Sequence, residues 1–266
     1  KKSKIVFFIK FMNSKKISII TVCHNAENTI SKTIDSVNSQ TFQNIEHIII
    51  DGLSTDLTYK IAKNKKKLPG IILSEKDKSS QSAMNKALNY VTGDVVFFLH
   101  ADDFLSNKNI INEVMDLFKD NIDIVYGNIE YYSHNKKKLT GRKFIPGEYT
   151  EGAYLKGWHA PHPAFFVKNN CYKKYGNFRE EINTSADFEI MFRFQELQNL
   201  KSIYLNKTIT YMGVGGNSGN IKNILIGNYY VVKSLLLHKQ KIFIPIYLFK
   251  RLFPKIIAKI QLILKL

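Results

Sequence analysis

A continuous apolar run ends in two adjacent carboxylates in the stretch Val95-Val96-Phe97-Phe98-Leu99-His100-Ala101-Asp102-Asp103. The apolar part is typical of a strand that is buried on both faces of a parallel sheet. Ligands of open α/β sheets bind at the carboxyl ends of the strands. Carboxylate oxygens suit Mg²⁺ or Mn²⁺, which in turn bind phosphate oxygens. The stretch therefore indicates phosphate-linked chemistry at the end of a central strand.

Strand and helix patterns alternate on both sides of this stretch. Compact β-branched or apolar runs occur at 17–22, 45–50, 70–73, 94–99 and 122–126, with helical spacing of apolar residues at 30–37, 57–61, 83–91 and 110–118. This alternation predicts a doubly wound, mostly parallel α/β sheet. After residue 131 the pattern becomes irregular, so we expect one domain over 17–220, with a regular half at 17–127 and an irregular half at 128–220.

Charge is distributed unevenly along the 266 residues, whose formal net charge is +17. No Asp or Glu follows Glu196, while many Lys and Arg residues do. Such a concentration suggests an anionic partner, either membrane phospholipid or nucleic acid. The only cysteines, Cys23 and Cys171, are too few for a disulfide framework, which favours a reducing cytoplasm.

Two terminal segments lie outside the predicted domain. Residues 1–16 form a basic extension whose apolar core is too short for a membrane span, and because the chain starts at Lys1 we expect this end to be incomplete. Residues 221–266 predict a basic amphipathic helical tail, with an apolar stripe from Leu252 to Leu264. The alternatives for this tail are a membrane-surface anchor, which we favour, a helix packed on the core, or a nucleic-acid contact.

Two further carboxylates follow strands that neighbour the central one. Asp51 ends the second predicted strand and Asp77 lies in the loop after the third, so the topology brings both beside Asp102. Each could simply cap the helix that follows it. Their joint placement instead favours a crevice in which Asp51 and Asp77 accept hydrogen bonds from a nucleobase and ribose.

Several ordered motifs give the chain a family resemblance. They are Thr21-Val22-Cys23-His24-Asn25-Ala26-Glu27, Asp51-Gly52-Leu53-Ser54-Thr55-Asp56, Glu75-Lys76-Asp77, Ala83-Met84-Asn85-Lys86-Ala87, Gly93-Asp94, His100-Ala101-Asp102-Asp103, Ser185-Ala186-Asp187 and Gly215-Gly216-Asn217-Ser218. In this order and spacing, the stretch from Ile17 to about Gly219 resembles glycosyltransferase family 2, whose members are inverting enzymes of the GT-A fold. The resemblance is strongest to the branch that acts in bacterial surface-polysaccharide assembly.

The resemblance implies a nucleotide-sugar donor and a divalent cation, Mn²⁺ or Mg²⁺. It places a nucleotide pocket at Thr21, Glu27, Asp51, Asp77 and Asn85. It also makes Asp102 and Asp103 the metal and diphosphate element. Because adjacent residues that leave a strand point in different directions, we assign the metal to Asp103 and the ribose or metal-bound water to Asp102.

The resemblance also maps the catalytic base to Asp187, which we expect to be ionised at a helix amino terminus, although it could be only a helix cap. Trp158 offers a flat face to an acceptor sugar, with His159 beside it, and a family histidine corresponds to His162, a further candidate for the metal. A structural histidine is the alternative at His162.

Together these features predict inverting transfer of a sugar to a saccharide or lipid-diphosphate-linked acceptor, at the cytoplasmic face of the membrane, with an anionic membrane surface as partner of the tail and no nucleic acid. Two alternatives remain open. One is a non-catalytic basic module that binds anionic polymer or membrane, which would explain the charge but not the carboxylates. The other is a sugar nucleotidyltransferase, which would need a Gly-rich basic loop that residues 21–28 lack.

Overall fold

The computed structural model describes residues 15–214 and 221–253. Nine strands in these ranges join one sheet. They are β1 Ile17–Cys23, β2 Ile45–Asp51, β3 Ile72–Ser74, β4 Val95–Phe98, β5 Phe104–Leu105, β6 Ile124–Ser133, β7 Lys138–Phe144, β8 Phe165–Lys168 and β9 Ser202–Val214. The motif at 215–218, the end of the tail after 253 and most of the amino-terminal extension lie outside the described residues.

The helices fall between and after these strands. They are α1 Ile30–Asn38, α2 Thr58–Lys65, α3 Ser80–Leu88, α4 Ile110–Met115, α5 Asn169–Tyr175, α6 Ala186–Phe192 and α7 Ile221–Leu237, followed by α8 at residues 244–253. Helix α1 buries Ile30, Ile34 and Val37 on the face that its apolar spacing predicts. Helix α3 begins at Ser79, whose hydroxyl accepts a hydrogen bond from the Ser82 amide at 3.1 Å.

The strand order in the sheet is β3-β2-β1-β4-β8-β6-β9-β5, and β7 pairs with β6 outside this path. Strands β3, β2, β1 and β4 are parallel. Strand β8 is antiparallel to both β4 and β6. The doubly wound half is therefore confirmed, and the half predicted to be irregular adds β8 and β9 to the same sheet.

The central strand β4 packs against helices on both faces of the sheet. The ring of Phe97 stacks on Phe166 of β8 at 4.0 Å between centroids. The neighbouring Phe98 points into a different apolar cluster, beside Phe178 at 5.1 Å. Because side chains alternate along a strand, these two residues belong to the two opposite layers of the core. Packing on both faces of β4 therefore holds its carboxyl end in the middle of the molecule.

The third strand is displaced from its predicted position by a glycine. Gly70 has a φ of +107°, and a Cβ there would lie 2.5 Å from the carbonyl oxygen of His47. The backbone at Gly70 is therefore a close turn and not a strand, so pairing starts at Ile72.

The described part of the tail packs on the domain, as one of the three predicted alternatives for the tail requires. Val231 and Leu235 of α7 and Tyr247 of α8 are buried in the main apolar cluster. The Ser185 hydroxyl donates to the Gly227 carbonyl at 2.8 Å and joins α7 to the segment that precedes α6. Part of the tail therefore packs on the core, which is one of the predicted alternatives, and contact of its exposed side chains with a membrane stays a prediction. No helix within residues 15–214 and 221–253 is both long and apolar enough to cross a membrane.

A buried carboxylate joins the amino end of β1 to the start of β4. Glu46 accepts hydrogen bonds from the Lys16 ammonium at 2.8 Å, from the Thr92 amide and hydroxyl at 2.7 and 2.6 Å, and from the Gly93 amide at 3.1 Å. The Ser18 hydroxyl also donates to it. Burial raises the pKa of Glu46, but the hydrogen bonds from Lys16, Ser18 and Thr92 outweigh this effect, so the pKa lies below its ordinary value.

We expect Glu46→Gln to lower the free energy of unfolding by about 2 kcal/mol at pH 7, because the amide cannot accept all of these bonds. The lowered pKa makes the ionised form the stabilising one in the folded state. The difference between wild type and variant should therefore be complete above pH 4.5 and disappear as the pH falls through the folded-state pKa. Urea unfolding at a series of pH values measures this difference.

Glu113→Gln, which breaks an exposed pair with Lys207, is the control and should lower the free energy of unfolding by less than about 0.5 kcal/mol. A pH-independent difference would contradict this account.

Candidate active site

The turn after β4 is held by residues from two distant parts of the chain. The Thr33 hydroxyl of α1 lies 2.9 Å from the Ala101 carbonyl and 2.7 Å from the Asp103 carbonyl, so it donates to one or the other. A ring nitrogen of His134 lies 2.7 Å from the carbonyl oxygen of Asp102. These bonds fix the backbone, and with it the direction in which each aspartate side chain leaves the turn.

The two adjacent carboxylates have different surroundings. Asp103 is 2% exposed, and its Oδ1 accepts a hydrogen bond from the Gly213 amide of β9 at 2.9 Å. Burial raises the pKa of Asp103 well above its ordinary value, the nearby Asp102 raises it further, and the Gly213 amide opposes both. Asp102, in contrast, is partly exposed. The geometry thus points Asp103 into the protein and leaves Asp102 open to solvent, which does not agree with assigning the metal to Asp103.

Close packing enforces this arrangement. A Cβ at Gly213 would lie 2.8 Å from the Asp102 carbonyl oxygen and 3.1 Å from the Asp102 Cβ. Strand β9 can approach the turn this closely only because residue 213 is glycine.

Asp187 lies in the first turn of α6, as predicted, and faces the same region as Asp102. Both carboxylates interact electrostatically with His100, and both raise its pKa. Burial raises the pKa of Asp187. Three neighbours lower it: the Phe188 amide, which donates to the carboxylate at 2.7 Å, and the side chains of His100 and Arg251. The carboxylate is nevertheless partly exposed. Its pKa is therefore higher than the helix amino terminus alone would give, and a substrate can reach it.

The two histidines in the crevice are held as neutral imidazoles. His162 is 6% exposed, lies 5.9 Å from His100 between ring centroids, and packs against Phe98 at 5.6 Å. Burial, with a smaller effect from His100, lowers the pKa of His162 to about 3. Burial also lowers the pKa of His100, despite the opposing effects of Asp102 and Asp187. Neutral imidazole is the form that binds metals.

Among the described residues, no group of three His, Cys, Asp or Glu side chains is assembled to hold a metal ion. Mg²⁺ and its relatives commonly use only one or two protein carboxylates and take substrate phosphates and water as the remaining ligands. The partly exposed Asp102 carboxylate fits that pattern. The Asp103 carboxyl, which is buried and bonded to the Gly213 amide, does not fit it.

The residues predicted to line the nucleotide pocket already have protein partners. Asp51 is fully buried, and it accepts hydrogen bonds from the Ser74 hydroxyl at 2.6 Å and from the Ser54 amide at 3.1 Å. Asp77 pairs with Lys86 at 2.7 Å. Thr21 is also buried and bonds to the ring of His47 at 2.9 Å. Within the described chain, Asp51 and Thr21 therefore organise the ends of strands and do not present free polar groups.

Two more of these residues also hold the structure together. Asn85 donates to the Phe178 carbonyl at 2.9 Å and accepts from the Phe178 amide at 3.0 Å, so its amide connects α3 to the loop after α5. Glu27 accepts from the Leu57 amide at 3.0 Å, just before α2. Their predicted contacts with a nucleotide remain predictions, and the geometry gives both a structural role.

The predicted acceptor residues lie in an aromatic cluster. The Trp158 indole donates to the Pro146 carbonyl at 2.6 Å, and its ring packs edge-on against Tyr154 at 5.2 Å. His159 packs beside Phe144 at 5.1 Å, with Nδ1 2.9 Å from the Ala160 carbonyl. A partner in the protein thus restricts each ring, and a sugar contact at either residue remains a prediction.

Three residues of the site are missed by reasoning from the sequence. His100 belongs to the motif His100-Ala101-Asp102-Asp103, so its place in the sequence could have indicated a role in the site. His134 comes from the turn between β6 and β7, in the half predicted to be irregular. Arg251 of α8 is counted only as one of many tail cations. It reaches Asp187 electrostatically and stacks on the Phe188 ring at 4.8 Å, and no local sequence signal predicts that position.

A mostly parallel sheet with carboxylates at the end of its central strand, and with a further carboxylate on a following helix, is the arrangement of the GT-A fold of sugar-nucleotide enzymes. The model of the family described as "Glycosyl transferase family 2" matches residues 18–194. The chain therefore belongs to glycosyl transferase family 2.

Two curated Escherichia coli relatives support the same family. The chain is 32% identical over 146 residues to the Escherichia coli UDP-Glc:alpha-D-GlcNAc-diphosphoundecaprenol beta-1,3-glucosyltransferase WfgD, covering 54% of this chain and 57% of the relative. It is 36% identical over 142 residues to the E. coli enzyme WfaP, described by the same activity, covering 53% and 55%. The matched stretches thus span little more than half the length of these relatives.

Solved structures show the same fold. The Pyrobaculum calidifontis mannosyltransferase PcManGT, in complex with GDP-Man and Mn²⁺, gives a TM-score of 0.64 at 15% identity, covering 90% of this chain and 69% of that one. Staphylococcus aureus TarS 1-349 in complex with UDP-GlcNAc gives 0.62 at 20% identity, covering 83% and 66%. The expected GT-A fold is confirmed.

Because Asp103 is buried and Asp102 is partly exposed, we expect their substitutions to affect donor binding differently. Asp103→Asn should keep both the fold and the binding of a nucleotide sugar with Mn²⁺, because the amide oxygen can still accept from Gly213 and burial already favours the uncharged carboxyl. Asp102→Asn should keep the melting temperature but weaken that binding about tenfold or more. Differential scanning fluorimetry and calorimetric titration with UDP-glucose and Mn²⁺ measure the two quantities. Loss of binding in Asp103→Asn alone would restore the original assignment.

Proposed function

We propose that the protein transfers a sugar from a UDP-sugar to a lipid-diphosphate-linked sugar, with inversion, in the assembly of a bacterial surface polysaccharide. One observation carries this proposal. Asp102 at the end of β4 and Asp187 at the start of α6 both act on the same histidine, His100. This shared neighbour supports a site in which Asp102 serves the donor and Asp187 is the base. Family membership and relatives described by transfer to GlcNAc-diphosphoundecaprenol support the acceptor class.

Asp187 performs the proton transfer in this scheme. Its carboxylate accepts the proton of an acceptor hydroxyl while that oxygen forms a bond to the anomeric carbon of the donor sugar. The bond from the anomeric carbon to the diphosphate oxygen breaks at the same time, and UDP leaves with the electron pair. Attack from the face opposite the leaving group inverts the anomeric centre.

A divalent cation, Mn²⁺ or Mg²⁺, would neutralise the charge that develops on the departing diphosphate. We propose Asp102 as its main protein ligand, with His162 as the second candidate. His134 and Thr33 hold the Asp102 backbone in place, so the carboxylate direction is set before a ligand binds. Such preorganisation reduces the cost of binding a charged group.

Asp187→Asn should lower kcat for sugar transfer about 10³-fold, because the amide cannot accept the proton. The control is Glu181→Gln, an equally small change at an exposed carboxylate six residues earlier, and it should remain within twofold of wild type. Transfer from UDP-glucose to a synthetic GlcNAc-diphosphate-alkyl acceptor, followed by chromatography, measures the rate, and other UDP-sugars follow if UDP-glucose is not used.

The same enzyme should show an acid limb in its pH profile. Burial raises the pKa of Asp187 above its ordinary value of 3.8, and only the ionised form accepts a proton. The value of kcat/KM should therefore fall as the pH drops through this raised pKa. Unimpaired transfer by Asp187→Asn, or an acid limb that persists in it, would remove Asp187 from this role.

We also propose that the tail holds the enzyme on an anionic membrane surface, at the cytoplasmic face where a lipid-linked acceptor would be presented. Most of the large apolar side chains that the described residues expose belong to α7, α8 and the segment between them, including Leu225, Tyr229 and Phe249. Lys239, Lys241 and Lys250 are exposed in the same region. Exposed apolar groups combined with lysines are typical of interfacial helices.

Phe249 and Phe253 stack on one another at 4.8 Å, and Phe249 is 61% exposed. The double variant Phe249→Ser/Phe253→Ser should bind vesicles of phosphatidylglycerol and phosphatidylcholine about tenfold more weakly, because it loses apolar area that would enter the interface. Leu57→Ser/Ile145→Ser, equally exposed but outside the tail, should bind as wild type does. Equal binding of both variants in a flotation assay would contradict the proposal.

A further inference from the structure

The guanidinium of Arg251 is buried and only partly paired. Arg251 is 9% exposed, its plane covers the Phe188 ring at 4.8 Å, and its Nε donates to Asn228 at 3.3 Å. Its Nη1 is buried without a hydrogen-bond partner in the described structure, as is the hydroxyl of Tyr247. The two groups interact with each other, and the charge and hydroxyl of Tyr247 raise the pKa of Arg251 against the larger opposite effect of burial. A buried guanidinium whose hydrogen bonds are incomplete is costly, so Nη1 and the Tyr247 hydroxyl can still donate to an anion.

Backbone packing holds the Arg251 end of α8 against the loop that precedes Trp158. Gly157 has a φ of +93°, and a Cβ there would lie 2.9 Å from the Arg251 amide nitrogen and Cα. Helix α8 therefore presses directly on the loop that precedes Trp158. From this position the guanidinium lowers the pKa of Asp187, and Asp187 raises that of Arg251. The unpaired donor thus lies beside the proposed base.

An apolar groove adjoins Tyr247, the neighbour of Arg251. Leu155, Ile242, Ile246 and Tyr247 line it, together with Lys241 and Lys250. Tyr247 belongs both to the wall of this groove and to the surroundings of Arg251. Apolar side chains and two lysines line the same groove, a combination that fits a ligand with an alkyl chain and an anionic group.

We propose that Arg251 and Tyr247 bind a phosphate oxygen of the acceptor's diphosphate and that the groove receives the first part of its lipid chain. The inference rests on the proposed function and adds the place where the acceptor is held. A sugar joined to that diphosphate would have its hydroxyl groups on the Asp187 side. The apolar walls favour the acceptor over the donor because a nucleotide sugar has no lipid chain.

Farnesyl diphosphate is a suitable probe because it has an isoprenoid chain and a diphosphate but no sugar. Calorimetric titration should show that Arg251→Gln binds it at least about tenfold more weakly than wild type, since a charge-assisted hydrogen bond is lost. Binding of UDP with Mn²⁺ should stay within twofold. Arg142→Gln is the matched control, because Arg142 is an exposed arginine stacked on Tyr131 at 4.2 Å, and it should bind farnesyl diphosphate as wild type does. Tyr247→Phe should show a smaller loss than Arg251→Gln.

Several results would overturn the proposal. Wild type that fails to bind farnesyl diphosphate, or Arg251→Gln that binds it normally, would remove the site. An equal loss of UDP binding would assign Arg251 to the donor, and equal affinity for inorganic diphosphate would remove the groove. Melting temperatures establish that the variants fold, and Arg251→Lys, expected to bind with intermediate affinity, replaces Arg251→Gln if that variant unfolds. Because no sugar is transferred, these results are independent of whether the proposed activity is found.

Discussion

The buried hydrogen bond between the Gly213 amide and the Asp103 carboxyl joins two parts of the chain that are 110 residues apart. It holds β9 against the turn that follows the central strand, at a distance that only glycine permits. Because Asp103 is turned inward by this bond, its neighbour Asp102 leaves the turn toward solvent. Thr33 and His134 fix the same turn from two other directions. The orientation of the proposed donor site therefore depends on a carboxyl that is itself held by the backbone of β9.

Burial sets the charge of the surrounding groups. It lowers the pKa of His100 and His162 and keeps both imidazoles neutral. It raises the pKa of Asp187, which makes this carboxylate a stronger base than an exposed aspartate. Arg251 opposes that shift from a helix that sequence patterns describe only as basic. The main charges of the crevice thus come from a few residues whose protonation depends on how tightly the chain packs around them.

The first half of the fold follows closely from the sequence. The strands β1, β2 and β4 are short β-branched or apolar runs, and the helices between them have apolar residues at helical spacing, so local preference and burial agree. Strands β8 and β9 were not predicted, because β8 has four residues and β9 is half exposed along much of its length. Such strands form because of the neighbours with which they pair, and those neighbours are distant in the sequence.

The sequence by itself determined the alternation of strands and helices, the family, and the presence of carboxylates at Asp102, Asp103 and Asp187. These are properties of short segments and of their order. Only the tertiary structure decided which carboxylate faces the crevice, why Asp51 and Asn85 are occupied by the protein, and how Arg251 reaches Asp187. The physical reason is that a side chain's direction and pKa depend on atoms brought close by folding, such as the Gly213 amide, and no local pattern contains them.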